Sequence, residues 1–340
     1  MPRVSVVTVA YNAERFIAQA IDSVLAQSES DFEMIVVDNG STDGTRATVE
    51  DYAYRDSRIR LISSSENFGA GHGRNVGMRA ATGDWVAVLD ADDWYHPDRL
   101  EIMLDAAERD GVDLAADNQF FIMDGADRPY RKLRKDRAAG GHRLTTDDIL
   151  RGDRCGKVGS LGLLKPVIRR RFLQQHGIEY DESQCLGEDF YLLLNCLRHT
   201  PFLRFVATPL YYYRIHPTSY SNSLSVEAVR GMRALHERNL GLFDQLIDPV
   251  TTELMHRRSR QIDRYVAYRV LVDPLKRGNL RKCLRRVAAN PSALPMLVEG
   301  LTRYLVRRRQ AALHRRARQP AMAVRGVTGG APCRPAGLQG

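Results

Sequence analysis

Short apolar runs alternate with amphipathic stretches through the first 120 residues. The β-branched run at 4–9 is typical of a strand buried on both faces, and apolar residues at helical spacing follow it from Phe16 to Leu25. Further strands are predicted at 32–37, 59–63 and 85–89, and further helices near 43–54 and 74–81. This alternation predicts an α/β fold with a Rossmann-like, mostly parallel sheet flanked by helices.

Polar residues follow three of these four strands. They are Tyr11 and Asn12 after Ala10 at the end of the first strand, Asp38 after the second, and Asp90 and Asp92 after the fourth. Because ligands bind outside the carboxyl ends of the strands in such sheets, we expect these residues on one rim. Asn12 and Asp43 are also expected to cap the helices that follow them, and Asp38 could either contact a ligand or form a turn.

The pattern beyond residue 97 predicts fewer and less regular elements. They are a helix at 97–109, a strand at 113–123, a polar and basic loop at 124–145, a helix opened by Glu188 and Asp189, and a strand at 206–215. Residues 225–318 have a helical pattern, and an amphipathic stripe covers 294–305. Pro, Gly and Ala dominate from residue 319, which predicts a disordered tail at 319–340.

The net charge of +9 is divided unevenly along the chain. Residues 1–250 hold 30 basic and 37 acidic residues, whereas residues 251–318 hold 18 and 4. An acidic body with a basic C-terminal segment indicates an anionic partner, either nucleic acid or anionic lipid. Because no aromatic-rich or zinc-finger recognition pattern accompanies these charges, we expect no nucleic acid.

The length and the cysteines exclude several classes of protein. A chain of 340 residues suits one large domain or two medium ones, and it excludes a disulfide-stapled miniprotein. The five cysteines form no CxxC pair, which favours a reduced, cytosolic protein. The N-terminal apolar run is too short and too polar for a signal peptide, and no run of about 18 apolar residues predicts a bilayer-spanning helix. Any membrane contact is expected to be peripheral.

Asp90 and Asp92 are the candidates for binding a metal ion. Side chains alternate across a strand, so the two carboxylates are expected to project the same way if extended geometry continues that far. Oxygen ligands of this type suit Mg²⁺ or Mn²⁺ shared with substrate phosphates. A solvated turn or a helix cap explains such a stretch equally well.

Four other residues have both a functional and an ordinary interpretation. Arg74 enters a helix at the rim, where it could bind phosphate or be a plain surface arginine. Glu188 and Asp189 could supply a general base, or they could simply favour a helix N-terminus. His216 could bind metal or phosphate, or it could be packed. The glycines at 69–73 do not complete G-x-G-x-x-G, which excludes nicotinamide binding.

Taken together and in order, the motifs resemble those of family 2 glycosyltransferases. The matching segments are 4–12 (VSVVTVAYN), 37–45 (VDNGSTDGT), 73–77 (GRNVG), 83–93 (GDWVAVLDADD), 187–189 (GED) and 213–219 (YRIHPTS). The resemblance covers residues 3–220, and one departure is Asn39, where the family usually has a second aspartate. It implies a GT-A fold, a nucleotide-diphosphate sugar donor, a divalent metal, and inversion at the anomeric carbon.

The resemblance also implies a role for each candidate residue. On the donor side, Ala10, Tyr11 and Asn12 would line the nucleotide pocket, Asp38 would bond the base, Arg74 would lie near the diphosphate, and Asp90 would hold the ribose or the sugar. Asp92 would hold Mg²⁺ or Mn²⁺, and His216 would close over the diphosphate. Asp189, next to Glu188, would be the catalytic base.

Within the family, the chain is most similar to bacterial exopolysaccharide enzymes of the succinoglycan type. This similarity implies transfer of a hexose, taken as glucose from a UDP-linked donor, to a lipid-linked saccharide on the inner face of the plasma membrane. The basic segment would then be a membrane anchor, since anionic headgroups contribute about 1 kcal/mol per nearby Lys or Arg. The stripe at 294–305, followed by Arg307, Arg308 and Arg309, has the form of an interfacial helix.

The expected organisation is a glycosyltransferase domain at 1–224, with a nucleotide-sugar half at 1–123 and an acceptor half at 124–224. A basic helical extension at 225–318 and the tail at 319–340 follow. Two alternatives stay open at this stage. One is a sugar nucleotidyltransferase, although the position after the first strand is not the Gly-rich, basic loop typical of that class. The other is a non-enzymatic protein that binds nucleic acid or membrane through 251–318.

Overall fold

The computed structural model describes residues 1–134, 142–155, 159–183, 186–216, 226–243 and 249–276, with single residues at 281, 285, 288, 291, 295 and 298. Contacts divide the chain into one unit at 1–293 and another at 294–340. Apart from residues 295 and 298, the predicted helix at 294–305 and the predicted tail at 319–340 lie outside the described residues. Within the described ranges, no helix combines the length and the apolar character needed to span a bilayer.

The first unit contains ten strands in one sheet, counted over the described residues. They are β1 (Val4–Ala10), β2 (Phe32–Asn39), β3 (Ile59–Ser64), β4 (Trp85–Val88), β5 (Trp94–Tyr95), β6 (Leu114–Met123), β7 (Arg131–Lys132), β8 (His142–Leu144), β9 (Val167–Arg169) and β10 (Leu203–Ile215). The helices are α1 (Ile17–Leu25), α2 (Thr45–Arg55), α3 (Ala70–Ala80), α4 (Arg99–Arg109), α5 (Thr146–Gly152), α6 (Arg170–His176), α7 (Glu188–Leu197), α8 (Val226–Phe243) and α9 (Pro249–Lys276).

The strand order is β3-β2-β1-β4-β9-β6-β10-β5, while β7 pairs with β6 and β8 pairs with β10. The four strands predicted from the N-terminal pattern pair in parallel, and so do β6 and β10. The short strand β9 is antiparallel to both of its neighbours and joins these two parallel parts. Because the longer pairings are parallel, the predicted mostly parallel α/β sheet is confirmed.

The sequences of β1 and β2 explain their central positions. Every residue of β2 is buried, and so is every residue of β1 except Val9. Strands covered by helices on both faces are predominantly apolar, as these two are apart from a few buried polar side chains such as Glu33. In the register of the sheet, Ala10 lies beside Asp38, and Val7 lies beside Val88. The carboxyl ends of β1, β2 and β4 therefore meet at one rim.

Two glycines of the GRNVG segment bring α3 close to β1. A Cβ at Gly73 would lie 2.6 Å from a methyl group of Val9, and one at Gly77 would collide with Val7. The helix can approach the sheet this closely only without side chains at those two positions. As a result, Arg74 at the first turns of α3 is placed beside the rim.

The prediction that Asn12 caps α1 is wrong. The helix begins at Ile17, and Asn12 has φ 49°, a left-handed conformation that asparagine tolerates. Its side chain instead accepts the N–H of Thr42 at 2.8 Å, and its own N–H donates to the hydroxyl of Ser41 at 3.0 Å. Asn12 therefore joins the loops after β1 and β2, which explains why its oxygen is not available to the helix.

Helices α8 and α9 share a core with the rest of the first unit. Leu235 of α8 and Met255 of α9 belong to the same buried cluster as Tyr191 of α7. The buried imidazole of His236 also contacts the Tyr191 hydroxyl at 2.8 Å and the Ser259 hydroxyl at 2.9 Å. Helices α8 and α9 therefore pack directly on α7, within the unit that ends at residue 293.

Candidate active site

The ends of β1 and β2 supply four of the predicted donor residues. Ala10 is fully buried, whereas the Tyr11 side chain is 50% exposed at the rim. Asp38 is buried and accepts the N–H of Ser41 at 3.2 Å, so it forms the loop that Asn12 also holds. The structure therefore brings these residues together around the loop that follows β2.

Asn39, the departure from the family pattern, holds the loop that leads into α3. Its side-chain amide donates to the Asn67 side chain at 2.9 Å and to the Gly69 carbonyl at 3.0 Å. Its oxygen accepts the N–H of Phe68 at 3.2 Å. An ionised aspartate has no N–H to donate and could not form the bond to the Gly69 carbonyl. Asn39 therefore has a structural role in positioning the start of α3.

Asp90 and Asp92 do not project together as the extended geometry predicted. The strand ends at Val88, and the N–H of Asp93 donates to the Asp90 carbonyl at 3.0 Å, which closes a turn. The turn directs Asp90 towards Arg74 and Asp92 towards His216. The two carboxylates consequently belong to neighbouring but different clusters.

The first cluster is a closed ring of alternating charges, which we call the ion ring. Its four members are Arg74, Asp90, Lys165 and Asp189. Arg74 lies 2.8 Å from one oxygen of Asp90 and 3.3 Å from one oxygen of Asp189. Lys165 Nζ lies 2.8 Å from the other oxygen of Asp90 and 2.7 Å from the other oxygen of Asp189. Each carboxylate therefore contacts both cations.

Two further residues complete the surroundings of the ion ring. Glu188 accepts a hydrogen bond from Arg74 at 2.9 Å. The hydroxyl of Tyr180 donates to Asp189 at 3.3 Å, and the Arg74 guanidinium lies over the Tyr180 ring at 5.1 Å. Burial and the nearby Asp189 raise the pKa of Tyr180, so this residue keeps its proton and acts as a donor.

Three members of the ion ring, Asp90, Lys165 and Arg74, have pKa values that favour the charged form despite their burial. Burial alone would raise the pKa of Asp90, but Lys165 and Arg74 outweigh it and hold that pKa well below its usual range. Burial likewise opposes the charge on Lys165 and Arg74, yet the adjacent carboxylates raise the pKa of both cations. Opposite charges within about 4–6 Å favour the ionised form of each partner.

The second cluster contains the predicted metal ligand Asp92. One of its oxygens lies 2.9 Å from Nε2 of His216, and the side chain of Asp92 is 34% exposed. His216 is buried against the Phe16 ring at 4.5 Å. In the same turn, burial and then the negative charges of Asp92 and Asp90 raise the pKa of Asp93 well above its usual range. Like charges close together disfavour ionisation of a buried carboxyl group.

These residues fit a divalent metal that takes only part of its coordination from the protein. A carboxylate oxygen and an imidazole nitrogen already lie within hydrogen-bond distance of each other at the rim. Among the described residues, no group of three or more His, Cys, Asp or Glu side chains surrounds a common point. Mg²⁺ is usually held by one or two carboxylates together with substrate phosphates, so a partial protein site agrees with its chemistry.

The sequence interpretation missed Lys165 and Tyr180. Both lie in the stretch before α7, where apolar and basic residues are mixed without a clear helical or strand periodicity. The available signal was the lysine inside an apolar run, since a lysine is almost never fully buried unless it is paired. Its partners Asp90 and Asp189 lie 75 and 24 positions away, so no local pattern could identify them.

The sequence has close relatives of known family. A model of the family "Glycosyl transferase family 2" matches residues 5–167. The succinoglycan biosynthesis protein ExoO of Rhizobium meliloti is 34% identical over 296 residues, which cover 86% of this chain and 83% of that protein. The succinoglycan biosynthesis protein ExoU of the same organism is 30% identical over 88% of this chain and 86% of that protein.

Solved structures support the same assignment at the level of the fold. S. aureus TarS 1-349 in complex with UDP-GlcNAc has a TM-score of 0.56 at 17% identity, over 84% of this chain and 89% of that one. The mannosyltransferase PcManGT from Pyrobaculum calidifontis, in complex with GDP-Man and Mn2+, has a TM-score of 0.52 at 18% identity, over 89% and 81%. The GT-A fold is confirmed, and the chain belongs to glycosyl transferase family 2 and is a glycosyltransferase.

Proposed function

We propose that this glycosyltransferase moves a hexose from a nucleotide-diphosphate donor to a hydroxyl of a saccharide acceptor, with inversion and with Asp189 as the base. The observation that carries the proposal is the ion ring. It joins Asp189, at the start of α7, to Asp90, at the end of β4, through shared cations. A base for the acceptor hydroxyl is thereby held beside the rim where the donor would bind.

The rim residues support a nucleotide-sugar donor. Tyr11, Asn12 and Asp38 surround one loop, and the exposed ring of Tyr11 offers a face for a nucleobase. Fold neighbours were solved with UDP-GlcNAc and with GDP-Man, which agrees with a donor of this class. We propose a UDP-linked hexose, with UDP-glucose as the first candidate, and assign Asp90 to the sugar or the ribose.

The divalent metal would be held by Asp92 with His216. Enzymes of this fold family are typically dependent on a divalent metal, and the PcManGT structure contains Mn2+. When bound, Mg²⁺ or Mn²⁺ would offset negative charge on the departing nucleoside diphosphate. His216 lies at the end of β10 and would close the site over the diphosphate.

The reaction is a single displacement in which the chain's residues bind, orient and move one proton. Asp189 accepts the proton of the acceptor hydroxyl while the oxygen of that hydroxyl forms a bond to the anomeric carbon. The bond from that carbon to the diphosphate oxygen breaks, and the nucleoside diphosphate leaves with the electron pair. Attack from the face opposite the leaving group inverts the anomeric configuration. Arg74 and Lys165 hold Asp189 and Asp90 in place throughout.

A screen of donor hydrolysis tests this proposal. The purified chain is incubated with UDP-, GDP- and dTDP-sugars in the presence of Mg²⁺ or Mn²⁺, and release of the nucleoside diphosphate is measured. We expect release from one UDP-hexose above all other donors, and loss of release in EDTA. Failure to hydrolyse or transfer from any donor, or release of pyrophosphate from a nucleoside triphosphate with a sugar phosphate, contradicts it.

We further propose a role in exopolysaccharide biosynthesis with a lipid-linked acceptor at the inner face of the plasma membrane. The two succinoglycan proteins support the pathway, and the basic residues of 251–318 support contact with anionic lipid. We expect the full chain to float with anionic liposomes but not with neutral ones. Replacing Arg307, Arg308 and Arg309 with Glu should reduce recovery, and unchanged recovery contradicts the anchor.

A further inference from the structure

Lys165 is the one member of the ion ring to which no motif of the sequence assigns a role. It lies between the short helical turn at Leu161–Leu163 and β9, and its side chain is 3% exposed. Its backbone carbonyl accepts a hydrogen bond from the fully buried Arg99 at 2.6 Å. The backbone is therefore fixed on one side, and the ammonium group is directed into the candidate site.

Lys165 lies at nearly equal distances from two carboxylates that belong to different parts of the fold. Its Nζ atom lies 2.8 Å from Asp90 on the donor side and 2.7 Å from Asp189 on the base side. Arg74 contacts the remaining oxygen of each carboxylate. The four contacts leave neither carboxylate free to rotate without breaking at least one ion pair. The separation between the sugar-binding residue and the base is thereby fixed.

Stability alone is a poor explanation for this arrangement. Removing charged groups from water is unfavourable, and replacing a buried ion pair with apolar residues is often neutral or stabilising. Lys165 lies in an apolar segment and contacts two carboxylates, and this arrangement is therefore weak evidence for a gain in stability. It is better explained by the need to hold the two carboxyl groups at a defined distance.

We propose that Lys165 is a positioning residue, which orients Asp189 relative to the donor sugar held at Asp90. The inference rests on the proposed role of Asp189 as the base. In the reaction, Asp189 becomes neutral when it takes the acceptor proton, whereas Lys165 keeps its ion pair with Asp90. The ammonium group therefore holds the site together both before and after the proton moves.

A double-mutant cycle with Asp189→Asn tests whether Lys165 acts through the base. The variants Lys165→Met, Asp189→Asn and the double variant are compared with the wild type for kcat, for donor KM and for donor affinity by calorimetry. All rates are measured well below the unfolding temperature of each variant. Lys132→Met is the matched control, because Lys132 is exposed on β7 and contacts the Phe120 ring.

We expect Lys165→Met to lower kcat about 100-fold with a change in donor KM below about threefold, since a small misplacement of a reacting group has an effect of this size. In the Asp189→Asn background, the same change should lower the residual rate less than about threefold, because residues that act as a unit are not additive. A purely structural role would instead lower both rates by the same factor. Lys132→Met should have wild-type kcat.

Wild-type kcat in Lys165→Met, or an equal loss in both backgrounds, overturns the inference. A loss confined to donor affinity also overturns it and makes Lys165 a donor-binding residue. If Lys165→Met does not fold, Lys165→Gln, which keeps an N–H donor without the charge, replaces it in the same cycle. Full transfer by the single variant Asp189→Asn would instead overturn the proposed base. That rate is measured with Lys165 unchanged, so the two failures can be distinguished.

Discussion

Asp189→Asn should lower the rate of transfer by about 1,000-fold while donor affinity stays within about threefold of the wild type. Asparagine preserves the shape of the side chain, but it cannot take the proton of an acceptor hydroxyl at neutral pH. It also keeps an oxygen that can accept from Lys165, so the surroundings are largely retained. Transfer is measured with a labelled donor, and affinity is measured by calorimetry with the nucleoside diphosphate.

Glu188→Gln is the matched control for this prediction, because Glu188 lies in the same first turn of α7. Glu188 contacts Arg74 but is outside the four contacts that join Asp90 to Asp189. We expect a loss of less than about tenfold, which is the scale of one weakened hydrogen bond to a charged group. A greater loss in Glu188→Gln than in Asp189→Asn would transfer the role of the base to Glu188.

Removal of divalent metal should lower transfer by at least about 100-fold, and Mg²⁺ or Mn²⁺ should restore it. Asp92→Ala should cause a similar loss that added metal only partly reverses. The substitution removes the carboxylate proposed to hold the metal together with His216. Both effects are measured as transfer rate against metal concentration after treatment with EDTA. The concentration for half-maximal rate should be higher in the variant.

Asp84→Asn provides the control for Asp92→Ala. Asp84 is exposed and lies just before β4, at the opposite end of the strand from the rim. We expect this variant to keep the wild-type rate and metal dependence. A transfer rate that is insensitive to EDTA in the wild type would exclude the proposed metal dependence, and an unchanged metal requirement in Asp92→Ala would exclude Asp92 as its ligand.

The parallel part of the fold could be predicted because its signals are local. The runs that became β1 and β2 are mostly apolar and β-branched, and the rim residues Asp38 and Asp90 lie where β2 and β4 end. Strands such as β5 and β9 have two or three residues, which is too short for any periodicity. The antiparallel connection between the two parallel parts therefore had no signal in the sequence.

The failures within the site have a common physical cause. Asn12 was expected to bond its own helix, but it bonds a loop 30 residues away. Asp90 and Asp92 were expected to share an orientation, but one turn separates them. Lys165 was missed because its partners are distant in sequence. In each case a polar side chain had several possible partners, and only the tertiary structure selects among them.

The packing of α8 and α9 on α7 connects the candidate site to the start of the basic segment. Tyr191 lies two positions after Asp189 on the same helix, and its hydroxyl contacts His236, which in turn contacts Ser259 of α9. Helix α9 extends to Lys276, inside the basic segment proposed to contact lipid. Reorientation of α9 at a membrane surface would therefore be transmitted to the proposed base through three adjoining helices, which would couple the proposed membrane contact to the alignment of the candidate site.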